Sequence, residues 1–404
     1  MSSLPGVLGG APLFAEKIPI AKPVLPSAAD LMDQLTEILE SGIVTNGRFT
    51  NAFEREVAEH LKVKHAIAVS SATSGLMIAY RSLDLRGEVI VPSFTFMATV
   101  SALIWAGLTP VFADVDAQTG NLDPAAAASA ITPETSAIVA IHNGGNPADI
   151  AELESVAARH GLALIFDAAH ALGSMWQGEP VGPQGAVQVF SLTPTKLVIA
   201  GEGGMVTTND DGLAARLRIA REYGNRGDYN SEFAGINARL PELSALLGQH
   251  SLPQLESAVS RRNEIAVLYR ARLGKLPGID SQLVRSGNRS SFKDFSITID
   301  DQAFGLTRDE LATALAAENI DTRRYFDPPV HRHFAYQKYA PPNGALSNTD
   351  LLARTILNLP AWSHMKDSVA SDVCVAIERI YEFRNEIRTR LRESDVKTLT
   401  VATS

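Results

Sequence analysis

A lysine and an aspartate each stand near the end of an apolar, strand-like run in this chain. Lys196 ends the run FSLTPTK, residues 190–196, and Asp167 closes the run LALIFD, residues 162–167. The amine of a lysine can form a Schiff base with an aldehyde, and a carboxylate can keep a pyridine nitrogen protonated so that the ring accepts electrons. Most lysines are solvated surface charges, so neither residue is informative alone. Together with the run GEGG, residues 201–204, the pair predicts a site for pyridoxal phosphate (PLP).

The phosphate of such a cofactor needs hydroxyls and free N–H groups, which the N-terminus of a helix supplies. The run SSATSG, residues 70–75, follows one strand-like segment and opens a helical one. Its Thr73 and Ser74 could hold a phosphate, although such residues at a helix start more often only cap the helix. Ser191 lies at the exit of the strand that leads to Lys196, where its hydroxyl could reach the same phosphate.

The pyridine ring needs an aromatic cover and a partner for its nitrogen. The run PSFTFMAT, residues 92–99, contains Phe94 and Phe96, either of which could instead pack in the core. Asp167 ends an apolar and therefore buried strand, where an unpaired carboxylate is costly, and a protonated pyridinium would be a suitable partner. His170 could contact the ring or its phenolic oxygen, although a lone histidine is more often structural.

Short apolar runs alternate with segments of helical periodicity between residues 65 and 210. This alternation predicts an α/β fold with a largely parallel sheet covered by helices. The predicted strands are His65–Ser70, Glu88–Pro92, Pro110–Val115, Ala137–His142, Leu162–Asp167, Val187–Ser191 and Met205–Thr208. The predicted helices are a capped one from Ser27 to Gly42, then Ala72–Leu83, Ala98–Ala106, Pro124–Ala130 and Ile150–His160.

The pattern changes after residue 250. A long helix is predicted from Leu252 to Leu273, followed by a smaller α+β region. That region has a predicted strand at Phe292–Ile299 and predicted helices at Thr307–Glu318 and Asp367–Phe383. The long helix carries four arginines that we assign to its solvent face: Arg261, Arg262, Arg270 and Arg272. We therefore divide the chain into an N-terminal arm (1–24), a large PLP-binding domain (25–262) and a small C-terminal domain (263–404).

Composition excludes several classes of protein. The chain is 45% hydrophobic and 20% charged, which is typical of globular proteins, and its net charge of −9 argues against a nucleic-acid-binding surface. The single cysteine, Cys374, excludes an intrachain disulfide and a cysteine-rich metal site, and no metal is expected. No apolar run reaches the roughly 18 residues of a membrane span, and the N-terminus has no signal-like pattern. We expect a cytoplasmic protein that binds neither membranes nor nucleic acids.

These motifs together resemble the DegT/StrS-type (DegT/DnrJ/StrS) sugar aminotransferases, which are PLP-dependent enzymes of fold type I. The resemblance covers nearly the whole chain. Besides Lys196 and residues 201–204, it is carried by IVTNG (43–47), PADI (147–150), DAAHALG (167–173), GINARL (235–240), PVH (329–331) and LNLP (357–360). It implies a large domain with a mostly parallel seven-stranded sheet between helices, and a smaller α+β C-terminal domain.

The resemblance also implies roles for individual residues. Lys196 would bind PLP covalently and then shuttle protons, Asp167 would pair with the pyridine nitrogen, and His170 would lie near the ring. The other cofactor contacts would be Phe96 (rather than Phe94) stacked on the ring, and Thr73, Ser74, Ser191 and Asn237 at the phosphate. Asn237 would come from the neighbouring subunit, which implies a homodimer with shared active sites. Arg239 is close enough in sequence to be an alternative donor.

The implied reaction moves an amino group from glutamate to a nucleotide-linked keto sugar, with a TDP-4-keto-6-deoxyhexose as the first expectation. One branch of the family has histidine in place of the lysine and dehydrates its substrate, so Lys196 favours transamination. The candidates for binding the substrate, mainly its diphosphate, are Asn46, Arg226, Arg239, Arg324 and His331. Arg323 is a further candidate.

Two departures from the family pattern leave the substrate open. The run HNGGN, residues 142–146, differs from the commoner form, and Asn46 stands where glycine is frequent. A keto-cyclitol is therefore an alternative acceptor, and nucleotide binding would distinguish the two. A third hypothesis is a PLP-binding regulatory protein without turnover. The intact set of lysine, aspartate and phosphate-binding run argues against it.

Overall fold

A computed structural model describes residues 4–402, with side chains described as far as Glu393. The strands are β1 His65–Val69, β2 Glu88–Pro92, β3 Thr109–Ala113, β4 Thr135–Ile141, β5 Ala163–Asp167, β6 Met175–Trp176, β7 Glu179–Pro180, β8 Val187–Ser191, β9 Gly204–Thr208, β10 Ile279–Ser281, β11 Phe295–Ile299 and β12 Ile356–Leu359. The helices are α1 Ala28–Ser41, α2 Arg48–Leu61, α3 Ala72–Ser82, α4 Met97–Trp105, α5 Pro124–Ser129, α6 Ile150–His160, α7 Asp211–Ala220, α8 Glu242–Ser251, α9 Leu255–Leu273, α10 Asp301–Phe304, α11 Arg308–Ala317, α12 Ser347–Thr355, α13 Asp367–Glu382 and α14 Arg384–Ala402.

Seven strands form one sheet in the order β1-β9-β8-β5-β4-β2-β3. Strand β9 runs antiparallel to both of its neighbours, and the other pairs are parallel. This arrangement confirms the predicted mostly parallel seven-stranded sheet. The parallel strands β5 and β8 end at Asp167 and Ser191, so these two side chains lie at the same edge of the sheet, where α/β folds bind ligands.

Both faces of the large sheet are covered, as the apolar run of its central strand β5 indicates. Along β5, Ile165 packs in the cluster on one face, whereas Leu164 and Phe166 pack in the cluster on the other. Successive side chains of a strand point to opposite faces, so a continuous apolar run indicates burial on both. Asp167 is the first polar side chain of this strand, and the sheet holds it in place from both sides.

A second sheet belongs to the C-terminal part of the chain. It consists of β10, β11 and β12, all antiparallel, and it packs with α11 and α13 in a separate apolar cluster. Helix α9 packs against both sheets. Its Val259 lies in an apolar cluster with residues of the large sheet, and its Tyr269 lies in the cluster of the small sheet. The division of the chain at residue 262 falls within this shared helix and stays a prediction.

Two details of the predicted C-terminal region are wrong. Arg262 does not face solvent; it is 3% exposed, and its Nη1 donates to the carbonyl oxygens of Phe292 (3.0 Å) and Lys293 (2.9 Å). The sequence pattern could not distinguish an arginine that binds buried carbonyls from three that reach the surface. The strand predicted from Phe292 begins only at Phe295, because Phe292 has a positive φ of 43° that interrupts an extended run.

The N-terminal arm lies against the C-terminal part of the chain. The backbone N–H groups of Gly6 and Leu13 donate to the Glu318 carboxylate at 2.9 and 2.8 Å. Ile18 pairs with Ile320 in a short parallel bridge. The arm is therefore ordered within one chain from residue 4 onward. Among the described residues, no helix combines the length and apolar character that crossing a membrane requires.

Candidate active site

A cavity of about 360 Å³ opens at the edge of the large sheet where β5 and β8 end. The N-terminus of α3, the loop after β8 and two segments of the C-terminal region complete its walls. The side chains that line it are those of Ser71, Ala72, Thr73, Leu76, Phe96, Ala98, Asp167, Ala169, His170, Ser191, Thr193, Thr195, Lys196, Glu202, Lys293, Tyr325 and Phe326. The lysine and the aspartate singled out from the sequence therefore face one enclosed space.

Lys196 lies in a turn after β8, closed by the hydrogen bond from its N–H to the carbonyl of Thr193 (3.0 Å). Within residues 4–393, its Nζ has no hydrogen bond or ion pair. Burial lowers the pKa of the Lys196 ammonium to about 7, assisted by the positive charge of Lys293 and opposed by Asp294 and Asp167. Near neutral pH the amine is therefore available both as a nucleophile and as a base.

Asp167 is held by two donors. The hydroxyl of Thr99 donates to Oδ2 at 2.7 Å, and the N–H of Ala169 donates to Oδ1 at 3.1 Å. Burial raises the pKa of Asp167, and the two hydrogen bonds and the charge of Lys196 oppose this rise. No cation among the described residues forms an ion pair with this carboxylate. A buried carboxylate that is fixed in position but lacks a cation fits a protonated ring nitrogen as its partner.

His170 lines the cavity, and its side chain is 13% exposed. Its Nδ1 is buried and has no hydrogen-bond partner in the part of the chain that the structure describes, although Asp294 Oδ2 lies 4.0 Å away. Burial lowers the pKa of His170 well below its usual value, and the charges of Lys196 and Lys293 lower it further. The imidazole is therefore neutral, and it can pack against a ring or donate to an oxygen without adding charge.

The N-terminus of α3 carries a capping box made by two serines. The Ser71 hydroxyl accepts from the N–H of Ser74 at 3.0 Å, and the Ser74 hydroxyl accepts from the N–H of Ser71 at 3.1 Å. The N–H groups of Ala72 and Thr73 have no acceptor within the helix, as at any helix start. They lie at the cavity wall with the Thr73 hydroxyl, and together these donors fit an anion.

Gly204 allows this helix start to lie close to β9. A Cβ at that position would come within 2.7 Å of the backbone nitrogen of Ala72. The close approach at Gly204 is thus to the helix whose start would hold the phosphate. A side chain there would displace the first turn of α3 from the cavity.

The two phenylalanines of residues 92–99 have different environments. Phe94 is fully buried, and its ring packs edge-on against that of Phe326 at 5.7 Å between centroids. Phe96 is the N-cap residue of α4; it lines the cavity and is 54% exposed. Of the two, only Phe96 can cover a ring bound in the cavity.

Sequence reasoning missed the second lysine of the cavity. Lys293 Nζ lies 2.8 Å from Asp294 Oδ1, and both residues are 8% exposed. They belong to the segment that was predicted as a strand, where alternation assigns no function to either residue. Thr193 and Thr195 also line the cavity; hydroxyls flanking Pro194 directly before Lys196 were a usable signal.

The family model of the DegT/DnrJ/EryC1/StrS aminotransferases matches residues 27–378 of this chain. The chain belongs to this family.

Individual relatives agree with the family match. The spore coat polysaccharide biosynthesis protein SpsC of Bacillus subtilis is 35% identical over 365 residues, which cover 86% of this chain and 94% of SpsC. The dTDP-3-amino-3,4,6-trideoxy-alpha-D-glucose transaminase of Streptomyces venezuelae is 36% identical over 346 residues, or 85% of this chain and 90% of that enzyme. The crystal structure of DesI in the presence of its TDP-sugar product has a TM-score of 0.88 and 36% identity, covering 97% of this chain and 98% of DesI.

The resemblance stated from the motifs is thus confirmed, and so are the predicted fold and enzyme class. This DegT-family protein is a PLP-dependent aminotransferase of fold type I. Its cavity fits the cofactor, since it combines an unpaired amine, a fixed carboxylate, a neutral histidine and a helix N-terminus. The buried Nδ1 of His170, which has no partner, is a further sign of a missing polar neighbour.

Several residues predicted for the site of this aminotransferase do not line the cavity. Ser74 is buried in the capping box. Asn46 and Arg239 both contact Glu222, at 2.8 Å from Asn46 Nδ2 and 3.0 Å from Arg239 Nη1. Asn46, Glu222 and Arg239, called the Glu222 cluster below, lie at the protein surface. Asn237 is also exposed and pairs with Glu222 through the backbone, but it is not counted in the cluster.

Three other candidates are placed elsewhere. Arg226 is exposed and forms an ion pair with Glu232. Arg324 Nε lies 3.1 Å from an oxygen of Asp309, outside the cavity. His331 is 9% exposed, and its Nδ1 is 2.8 Å from the hydroxyl of Ser93.

Proposed function

We propose that this aminotransferase moves an amino group from glutamate to a nucleotide-linked keto sugar, and that the sugar is a TDP-4-keto-6-deoxyhexose. The observation that carries the chemistry is the single cavity that contains both the amine of Lys196 and the fixed carboxylate of Asp167. The choice of acceptor is supported by similarity to DesI, whose structure was determined with its TDP-sugar product, and to the Streptomyces venezuelae transaminase.

The residues of this chain divide the binding of PLP among themselves. Lys196 would link to the cofactor aldehyde, Asp167 would pair with the ring nitrogen and Phe96 would cover one face. The start of α3, with Thr73 and the hydroxyl of Ser191, would hold the phosphate. When bound, PLP supplies an electron-withdrawing ring that stabilises negative charge on the substrate carbon.

Lys196 performs the proton transfers once a substrate amine has displaced it. An amine with a pKa of about 7 exists in comparable amounts as base and as acid near neutral pH. With PLP bound, Lys196 would therefore be able to take the proton from the substrate carbon, hold it on Nζ and give it back in the later transfer. Asp167 remains in place during these steps because Thr99 and Ala169 fix both of its oxygens.

We further propose a homodimer in which the Glu222 cluster and Asn237 serve the cavity of the partner subunit. These polar groups lie on the surface of their own chain and contact one another instead of their own cavity. Apolar side chains next to them in sequence are also exposed: Val44 (49%), Tyr223 (53%) and Leu243 (41%). A face that presents both kinds of side chain is typical of a subunit interface.

A comparison of acceptors tests the proposed substrate. The enzyme is incubated with glutamate and either TDP-4-keto-6-deoxyglucose or a keto-cyclitol, and the amino product is identified by mass spectrometry. We expect the amino sugar to form and free TDP to inhibit competitively. Amination of the cyclitol, without inhibition by TDP, would replace the proposed acceptor with the cyclitol while leaving the aminotransferase chemistry intact.

A further inference from the structure

The cavity contains two lysines, and the reaction as described uses only one. Besides Lys196, the lining includes Lys293, whose side chain enters from the loop before β11. Covalent linkage to PLP would turn the Lys196 amine into part of a Schiff base, so that it could no longer bind an anion as a free ammonium. Because His170 is neutral, Lys293 is then the remaining ammonium among the side chains that line the cavity.

Lys293 is built into its position. Its carbonyl accepts from the buried guanidinium of Arg262 at 2.9 Å, which fixes the loop from below. Its Nζ is 2.8 Å from Asp294 Oδ1 and 5.2 Å from the centre of the Tyr325 ring. An ammonium has three N–H donors, and Asp294 accepts from one of them. Two donors are left to bind an anion in a space with little water.

The amino donor supplies an anion of the right kind. In any α-amino acid, the carbon that exchanges its amine bears a carboxylate, so this carboxylate enters the cavity within one bond of the reacting carbon. That carbon must reach Lys196, and Lys293 is the charged group with the largest effect on Lys196. The two acidic side chains that line the cavity, Asp167 and Glu202, would repel a carboxylate and so cannot be its binding partner.

We propose that Lys293, oriented by Asp294, binds the α-carboxylate of the amino-acid donor. The inference rests on the proposed transamination and extends it to the residue that recognises the donor. A keto sugar has no carboxylate on its reacting carbon, so Lys293 binds the substrate of the donor half-reaction and is not needed to bind the keto sugar. This asymmetry distinguishes a role in donor binding from a general structural role.

The test measures the two half-reactions separately in the PLP-bound enzyme, by stopped-flow absorbance. In Lys293→Met and Lys293→Gln, we expect the apparent Kd for glutamate to rise by about 10- to 100-fold, the effect of losing a charge-assisted contact. The apparent Kd for the keto sugar in the acceptor half-reaction should change by less than about 3-fold. Lys293→Arg keeps the charge and should recover most of the affinity. An unchanged Kd for glutamate in both neutral variants would overturn the proposal.

A binding measurement without turnover supplies a second readout. α-Methylglutamate has both carboxylates but no proton on its reacting carbon, so its affinity can be titrated through the cofactor absorbance alone. We expect the same loss of affinity in Lys293→Met as for glutamate. Glutamine and alanine, which share only the α-carboxylate, should also bind more weakly to Lys293→Met than to the wild-type enzyme. A loss confined to glutamate and α-methylglutamate would place Lys293 at the distal carboxylate and contradict the assignment.

Lys62→Met is the matched control. Lys62 Nζ also lies 2.8 Å from a carboxylate, that of Glu179, but on the surface, with 63% of the lysine side chain exposed. It should behave as wild type. If the wild-type enzyme fails to react with glutamate at all, the proposed transamination fails. If it reacts and the Lys293 variants match it, only the role of Lys293 fails.

Discussion

The enclosed cavity and the Glu222 cluster contain most of the residues predicted for this site, yet they differ in kind. In the cavity, burial shifts the pKa values of Lys196 and Asp167, and among the described residues neither has an ionic partner within hydrogen-bonding distance. In the Glu222 cluster, Asn46 and Arg239 are wholly or partly exposed and already hydrogen-bonded to Glu222. The side chains that line the cavity all come from one chain. The Glu222 cluster, in contrast, could contact a substrate only in the cavity of a second subunit.

The largest expected effect is on the cavity. Lys196→Ala should abolish the visible absorbance of bound cofactor and reduce transamination by at least about 10³-fold, since it removes both the covalent link and the proton carrier. Circular dichroism should show an unchanged fold. Retained turnover would mean that another amine, with Lys293 the first candidate, carries the reaction.

Asp167→Asn should lower the transamination rate by about 10²- to 10³-fold, because a neutral amide does not keep the ring nitrogen protonated. Affinity for PLP should fall much less, since the start of α3 and Lys196 are untouched. Thr99→Val provides a graded control; it removes one donor to the Asp167 carboxylate. Equal rates in Asp167→Asn and wild type would assign the ring nitrogen to a different partner.

The lowered pKa of Lys196 predicts how the PLP-free enzyme takes up its cofactor. Only the neutral amine attacks an aldehyde, so uptake should rise with pH and level off above a midpoint near 7. At pH 5 the rate should be about 100-fold below its plateau, whereas an unperturbed lysine would place the midpoint near 10.4. Stopped-flow absorbance across this range measures the midpoint, and a value above about 9 would show that burial does not depress this pKa.

Asn237→Asp tests the surface side of the comparison. The new carboxylate should weaken PLP affinity by about 10-fold through repulsion of the phosphate in the partner subunit. Refolding Asn237→Asp together with Lys196→Ala gives the sharper result. At a PLP concentration that fills intact sites but leaves most Asn237→Asp sites empty, a mixed dimer with shared sites has one site with both defects and one with neither, so about a quarter of wild-type activity should appear. No recovery in the mixture would place Asn237 outside any shared site.

The smallest effect separates the two neighbouring phenylalanines. Phe96→Leu should weaken PLP affinity by about 3- to 10-fold, as expected for the loss of one aromatic contact, and leave the melting temperature nearly unchanged. Phe94→Leu should lower the melting temperature and leave PLP affinity nearly unchanged, because Phe94 is fully buried and packs against Phe326. Equal effects on PLP affinity would mean that neither ring covers the cofactor.

The sequence was sufficient to predict the site residues that lie at the ends of apolar strands. Each of the seven strands predicted between residues 65 and 210 is present with its ends within two residues, and Asp167 and Ser191 lie at the edge that these strands define. The same reasoning failed at Lys293, because alternation in residues 292–299 also fits a strand. The positive φ of Phe292, which turns Lys293 into the cavity, has no signature in the residue types.

Asn46 and Arg239 were recognisable only through the family resemblance, and Glu222, which both contact, was not predicted at all. Their short-range pattern is that of an ordinary polar turn, and their positions in one chain do not reach its own cavity. Asn46 adopts a positive φ of 52°, a backbone conformation that asparagine tolerates and that glycine adopts without strain. A role that depends on a second subunit leaves no periodicity or spacing from which it could be predicted.

The most direct test of the account is to identify the lysine that carries the cofactor. Borohydride reduction of the PLP-bound enzyme fixes the linkage, and proteolysis followed by mass spectrometry locates it. We predict that the phosphopyridoxyl group lies on Lys196, with Lys293 unmodified. Modification of Lys293 instead, or no fixed modification at all, would contradict the assignment of Lys196 as the centre of this site.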